Sequence, residues 1–165
     1  MPRLAELEDG SVIESVPAGE ERLRYWDLLL LADESESQVR SYINDGSLYG
    51  IQDPNGEPAA VVLITPSAAH GIEVKAVAVR EDQQGRGLAR RLLTLALDEQ
   101  RRQGAKRAIV ATGTTSFAPL ALYQKLGFRL FRIDRDHFVA EHGYPEPIWE
   151  NGIQLIDQVW LDRDL

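Results

Sequence analysis

Cysteine is absent from the 165 residues, which excludes disulfide staples, thiolate metal sites and a cysteine nucleophile. Histidine is scarce: His70, His137 and His142 form no ligand cluster, and solvent-facing loop positions account for them, so no metal is expected. Long apolar runs are missing. The patch at residues 28–31 sits inside a charged helix, far short of the ~20 residues that cross a bilayer. The opening MPRLAELEDG lacks the apolar region of a signal peptide, and no membrane association is expected. Two common phosphate loops are missing too: there is no G-x-x-x-x-G-K-[ST], and G-x-G-x-x-G fails because its third glycine would fall at Arg90. Positive charge is in the minority, with a net charge of −8, which argues against a nucleic-acid partner. The length suits one domain, residues 1–165, with a substantial core.

What is present is organised around residues 72–97, IEVKAVAVREDQQGRGLARRLLTLAL. Residues 72–79 are β-branched and apolar apart from Glu73 and Lys75, the signature of a largely buried strand. Residues 80–84 are polar and break that pattern. Gly85 and Gly87 then bracket Arg86, and Leu88, Ala89, Leu92, Leu93 and Ala96 recur at helical spacing. Glycines at a helix start let a ligand approach the backbone closely and meet its unpaired N–H groups. Such a start attracts phosphate, and Arg86, Arg90 and Arg91 add full positive charge. The stretch reads as a pyrophosphate cradle. Residues 75–107 hold nine Lys/Arg against four acids, a net +5 that leaves −13 for the rest of the chain. A basic segment in an acidic protein suits a polyanionic cofactor, while the acidic remainder favours a cationic acceptor.

The rest of the chain falls into short elements. Residues 11–16 alternate as a strand. Residues 20–32 read as a helix with Leu23, Trp26, Leu30 and Leu31 on its inner face, and a second helix over 36–44 is capped by Asp33 or Ser35 and stopped by Gly46. Strands at 47–52, 59–65 and 72–79 form a meander through the turn Asp53-Pro54-Asn55-Gly56. After the cradle helix come a strand at 107–111, a short helix at 118–125, and strands at 128–133 and 153–161. A long irregular segment, 134–152, separates the last two.

The order Gln84-Gly85-Arg86-Gly87-Leu88-Ala89 resembles the Gln/Arg-x-x-Gly-x-Gly/Ala signature of the GNAT superfamily, the acyl-CoA-dependent N-acetyltransferases. The element order β-α-α-β-β-β-α-β-α-β-β is similar to that of the family. The resemblance implies an α/β (α+β) GNAT fold with a mixed central sheet of about seven strands. It also implies acetyl-CoA as cosubstrate, and hence a cytoplasmic location where acetyl-CoA is available. The run SFAPLALYQKLGFRL resembles the family's later helix, Asn-x-x-Ala-x-x-Leu-Tyr-x-x-x-Gly-Phe: Leu122, Tyr123, Gly127 and Phe128 fall in register, while Ser116 replaces the asparagine and Pro119 the alanine. The family's asparagine helps hold the pantetheine arm. Serine reaches less far, and residues 112–115 can share that task. The longer run through YPEPIWENGI is similar to a bacterial subgroup of unassigned substrate, in which Glu-Pro-Ile-x-Glu-Asn-Gly precedes the last strand.

By the same resemblance, Val77, Ala78 and Val79 offer a splayed strand edge to the pantetheine amides, with the Val79 N–H toward the thioester oxygen. Gln84, Gly85, Arg86, Gly87, Leu88, Ala89 and Arg90 would cradle the pyrophosphate, with Ser116 and Tyr123 completing the cofactor site. Tyr123 matches the tyrosine that protonates the departing thiolate; its other role is that of an amphipathic core residue. Glu73, read with the parity of Lys75, Val77 and Val79, matches a strand position where some members carry a catalytic glutamate. It reads equally as a strand-end carboxylate paired with Lys75 or Arg107. The implied reaction is direct acetyl transfer to a primary amine of a small-molecule or peptide acceptor. A non-catalytic acyl-CoA-binding module is the alternative, and a homodimer is compatible with either. Segment 134–152 is expected at the acceptor site or a dimer contact, because it is long, rich in aromatics and acidic. A surface loop covering the sheet end is the plainer reading.

Overall fold

A computed structural model describes residues 2–165. Among these residues ten strands and four α-helices follow one another as β1 (Arg3–Glu6), β2 (Val12–Val16), α1 (Trp26–Ala32), α2 (Glu36–Tyr42), β3 (Ser47–Gln52), β4 (Pro58–Ser67), β5 (Gly71–Val79), α3 (Leu88–Arg102), β6 (Arg107–Gly113), α4 (Phe117–Lys125), β7 (Arg129–Asp134), β8 (Ile148–Glu150), β9 (Ile153–Leu155) and β10 (Gln158–Asp164). Eight strands make one mixed sheet in the order β1-β2-β3-β4-β5-β6-β10-β7, and β8 with β9 makes a separate two-stranded ribbon. All pairings in the sheet are antiparallel except β5 with β6, joined through α3.

This is the expected α/β architecture with three departures. An additional strand, β1, pairs with β2 through a turn at Asp9-Gly10, where Gly10 has φ 88°; Asp-Gly between alternating residues is a hairpin signal. The last expected strand is two: β9 belongs to the ribbon, and β10 enters the main sheet between β6 and β7. Segment 134–152 is partly regular, with a 3₁₀ turn at Ala140–His142 and β8.

Two apolar layers flank the sheet. On one face α3 seats Leu88, Leu92, Leu93, Ala96 and Leu97 against Ile64, Ile72, Val74 and Val110. On the other, α1 and α2 bury Leu28, Leu29, Val39 and Tyr42 against Val61, Leu63, Ala76 and Ala78. The first helical segment keeps half of the face its pattern indicated, with Trp26 and Leu30 half-buried against this layer. Leu23 and Leu31 are exposed, while Arg22, Tyr25, Leu28 and Leu29 turn inward. The reason is helical pitch: Glu20–Tyr25 is a 3₁₀ helix, whose three residues per turn shift the phase relative to an α-helix. Arg22 is satisfied by four carbonyls, those of Val16, Ile43, Asp45 and Gly46, at 2.9–3.1 Å. Tyr25 Oη donates to the buried Glu14 Oε1 at 2.8 Å.

Candidate active site

The site begins with a fault in β5. Opposite β4, residues Ala76 and Val74 face Leu63 and Ile64, leaving Lys75 as an inserted residue. A bulge of this kind places two successive side chains on one face and bends the strand. Val77 and Val79 therefore pack toward the α3 layer, whereas Ala76 and Ala78 belong to the α1–α2 layer. Upstream of the bulge the parity is reversed: Ile72 and Val74 join the α3 layer, and Glu73 and Lys75 face α2. This corrects the shared parity read from the sequence. Glu73 lies on the opposite face from Val77 and Val79, because one extra residue inverts the alternation.

The bend also opens the sheet. β5 pairs with β6 only through Ile72–Val74 against Ala108–Val110, and beyond that point the strands part. The Arg80 amide donates to the Ala59 carbonyl at 2.8 Å, so the alternate residues Val79 and Val77 direct their backbone groups away from β4 and into the gap. The Val79 carbonyl accepts from Gln84 Nε2 at 3.0 Å, which ties the following turn to the strand end.

That turn, Glu81–Gln83 and then Gln84 to Gly87, delivers the chain to α3. Gly85 and Gly87 have φ of 77° and 75°, the left-handed region that favours glycine. Gly87 is the N-cap residue, and no side chain among the described residues caps the helix. The amides of Leu88, Ala89 and Arg90 thus lie in the first turn ahead of the first intrahelical bond, Arg91 N to Gly87 O at 3.1 Å. Arg86 is not free. It pairs with Asp9 at the β1–β2 turn, Nη2 to Oδ2 2.6 Å, and contacts Gln83. The Asp9 carboxyl is held down at a pKa of about 2, first by the Ser11 amide and then by Arg86. Arg90 is exposed.

Across the gap, β6 runs into Thr114, Thr115 and Ser116, with Ser116 at the N-cap of α4. Pro119 stands in the first turn of that helix, where its missing N–H costs nothing. Ser116 Oγ donates to Glu150 Oε2 at 2.7 Å and Asn151 Nδ2 to the Thr115 carbonyl at 2.9 Å. The segment before the last strand therefore clasps the start of α4. A Cβ on Gly113 would meet Leu155 Cδ1 at 2.6 Å and Ser116 Oγ at 2.9 Å, so the bare glycine lets the Leu155 side chain of β9 seat here without shifting. The Thr115 hydroxyl is buried without a hydrogen-bond partner among the described residues. Tyr123 is buried, edge-on to Phe128 at 5.9 Å, and makes no side-chain hydrogen bond among the described residues. Burial pushes its phenol up to about 12.

Glu73 lines an open cleft of about 570 Å³ with Gln38, Ser41, Tyr42, Asp45 and Lys75. Its Oε2 is 3.8 Å from Lys75 Nζ, and Lys75 in turn lies 5.3 Å over the Tyr42 ring. Arg107 does not pair with Glu73. It binds Asp162 at 2.6 Å and His70 Nδ1 at 2.5 Å, which removes His70 from the solvent-facing set. His137 also packs, edge-on to Phe138 at 4.7 Å. The Phe138 amide donates to the Ile156 carbonyl and the Asp136 amide to Asp157 Oδ1, at 2.9 and 2.8 Å. Tyr144 meets Phe138 edge-on at 5.1 Å and lies near enough to Asp33, at the end of α1, for that carboxylate to help burial raise its pKa. Segment 134–152 thus spans from the α4 start to the α1–α2 corner. Sequence reasoning passed over Asp9, Glu150 and Asn151. The last two were visible as part of the Glu-Asn-Gly segment, but nothing local names their partners.

The model of the Acetyltransferase (GNAT) family matches residues 4–128. The Uncharacterized N-acetyltransferase YvbK of Bacillus subtilis (strain 168) is 38% identical over 140 residues, covering 85% of this chain and 88% of that one. The crystal structure of a Bacillus subtilis acetyltransferase in complex with CoA superposes with a TM-score of 0.83 at 37% identity, covering 93% of this chain and 97% of the other. A GNAT family acetyltransferase from Elizabethkingia anophelis with acetyl-CoA bound gives 0.83 at 34% identity, covering 96% and 100%.

Proposed function

We propose a site chemistry and an acceptor class from the premise that this chain belongs to the GNAT family of acetyltransferases. It is an acetyl-CoA-dependent N-acetyltransferase. In our reading the acceptor is a small or peptide amine carrying positive charge, and residues 1–165 act as one cytoplasmic domain that assembles as a homodimer. The observation that carries the reading is the bulge at Lys75. It opens β5 from β6 and sends Glu73 to the face of the sheet opposite Val77 and Val79.

Acetyl-CoA would lie in the opening. The first-turn amides of α3, with Gly85 and Gly87, hold the pyrophosphate, while Gln84 fixes the turn, Arg90 adds charge, and Arg86 would reach the phosphate by leaving Asp9. Backbone groups of Val77, Ala78 and Val79 line the pantetheine arm as a strand would. An amide from Val77 or Val79 toward the thioester oxygen stabilises the oxyanion as it forms, worth on the order of 3 kcal/mol. The Ser116 hydroxyl is committed to Glu150, so the Ser116–Glu150 pair takes the asparagine's place at the α4 start.

The amine enters from the α1–α2 side. Glu73 and Asp45 in the cleft, Asp33 at the corner and the aromatic pair Phe138–Tyr144 suit a cation. Glu73 takes a proton from the ammonium, directly or through water; the free amine attacks the thioester carbon; the C–S bond breaks, CoA leaves as the thiolate, and the surplus N–H proton of the new amide passes to that thiolate or to water. A phenol at about 12 is a weak acid beside an ordinary thiol of about 8.5, and full proton transfer would cost roughly 5 kcal/mol. Tyr123 therefore acts chiefly as a hydrogen-bond donor to the thiolate, with transfer only where the thiolate is equally desolvated.

The test is CoA release, followed with a thiol reagent, across polyamines, aminoglycosides, amino acids and peptides. Turnover confined to cationic amines is the expected result. Calorimetric binding of acetyl-CoA with no thiol release from any amine would instead leave a binding module. Turnover equal for neutral and cationic amines would refute the acceptor class.

A further inference from the structure

We infer that the outer edge of β7 joins its counterpart in a second copy of this chain, so that the sheet continues through a two-fold axis between Phe131 and Arg132. The inference rests on the homodimer reading above and assigns its surface and register.

Among the described residues β7 ends the sheet, with β10 on one side and no strand on the other. Its residues Leu130, Phe131 and Ile133 are 52%, 38% and 61% exposed. Three exposed apolar side chains on an unpaired edge can still template pairing where the flanking charges find opposite partners, and among the described residues β10 is the one element in extended contact with this strand. The sequence of the strand, Arg-Leu-Phe-Arg-Ile-Asp, is complementary to itself in reverse. Antiparallel self-pairing sets Arg129 opposite Asp134 of the partner subunit, Leu130 opposite the partner's Ile133, and Phe131 opposite the partner's Arg132. Those are an ion pair, an apolar pair and a cation–π pair, each made twice by the two-fold.

A regular strand could not use this register. An axis between two residues pairs odd positions with even ones, and alternation would put such partners on opposite faces. The bulge in β7 removes the obstacle. Trp160 and Leu161 face Arg132 and Leu130, leaving Phe131 inserted. Leu130 and Ile133 stand opposite Leu161 and Val159, which belong to the α3-side core. The other four residues share the reverse face. Phe131 lies against Arg107 at 5.0 Å, Arg132 over Trp160 at 5.0 Å, Asp134 accepts from Trp160 Nε1 at 2.9 Å, and Arg129 is opposite Asp162. Read along the strand, the faces are themselves a palindrome about the proposed axis. Every pair in the register therefore meets on one face.

Sedimentation equilibrium and cross-linking test this. Wild type should run at twice the 18.5 kDa chain mass. Ile133→Lys and Arg129→Glu should each shift it to the single-chain mass, with an unchanged acetyl-CoA thermal shift as the check on folding. Because the chain has no cysteine, Leu130→Cys/Ile133→Cys should form an intersubunit disulfide under mild oxidant while Leu130→Cys alone does not. A monomeric wild type overturns both the homodimer reading and the surface. A dimer that survives both substitutions overturns the surface alone. Equal cross-linking by Leu130→Cys overturns the register.

Discussion

Gly87→Val separates backbone strain from ligand loss at the cradle. Gly87 has φ 75° and ψ 17°, and a Cβ built there meets nothing within 4 Å. The first added carbon therefore meets open space, and the direct cost of the substitution is the left-handed conformation, about 1–2 kcal/mol, at the upper end for a β-branched residue. For a domain of this size that lowers Tm by roughly 2–8 °C. The larger effect should be on acetyl-CoA. The open space beside Gly87 is where the pyrophosphate would approach, and valine fills it. At a ligand concentration 100 times Kd, wild type gains about 2.7 kcal/mol, or roughly 5–11 °C. A 100-fold loss of affinity leaves about 0.4 kcal/mol at the same concentration, so the ligand-induced shift falls to about 1–2 °C. Differential scanning fluorimetry with and without acetyl-CoA reads both quantities. If the apo Tm drops but acetyl-CoA raises it by the wild-type increment, the helix start is not the pyrophosphate site.

Tyr123→Phe should lower kcat by about 10²-fold or less, the low end for an acid–base group, with KM for acetyl-CoA little changed; an unchanged kcat with chemistry rate-limiting returns Tyr123 to the core. Its raised pKa of about 12 means that the phenol stays protonated through pH 10. Its contribution to stability is complete below pH 10 and declines as pH rises toward 12, so any fall in activity between pH 8 and 10 must persist in the Phe variant. Glu73→Gln should reduce kcat/KM for the amine while acetyl-CoA affinity holds; activity equal to wild type would leave Glu73 as the partner of Lys75 and nothing more. Trp149 is 64% exposed, so Trp149→Ala should change stability by less than about 0.5 kcal/mol, whereas Tyr144→Ala removes the edge-on contact with Phe138. If acceptor KM stays at the wild-type value in both, segment 134–152 packs the sheet end and takes no part in acceptor binding.

The sequence by itself determined the elements whose reasons are local. The glycines at 85 and 87, the polar break before them and the apolar spacing after them specify a strand, a turn and a bare helix start, because each depends on residues within a few positions. The strand bounds of Ser47–Gln52 and the cap at Ser35, whose Oγ accepts from the Gln38 amide, follow from the same kind of signal. Where the sequence misled, it was through period: a 3₁₀ helix turned Arg22 and Tyr25 inward where an α-helical phase would have chosen Leu23. Only the tertiary structure decided which face Glu73 occupies. That depends on the bulge at Lys75, which exists because β4 and β5 are out of step by one residue, and the alternation of β5 alone does not record what its neighbour does. The same holds for Asp9 on Arg86, 77 residues apart, and for Glu150 on Ser116. A carboxylate carries no local mark of its partner. The partner is chosen when the sheet brings a distant turn within 3 Å.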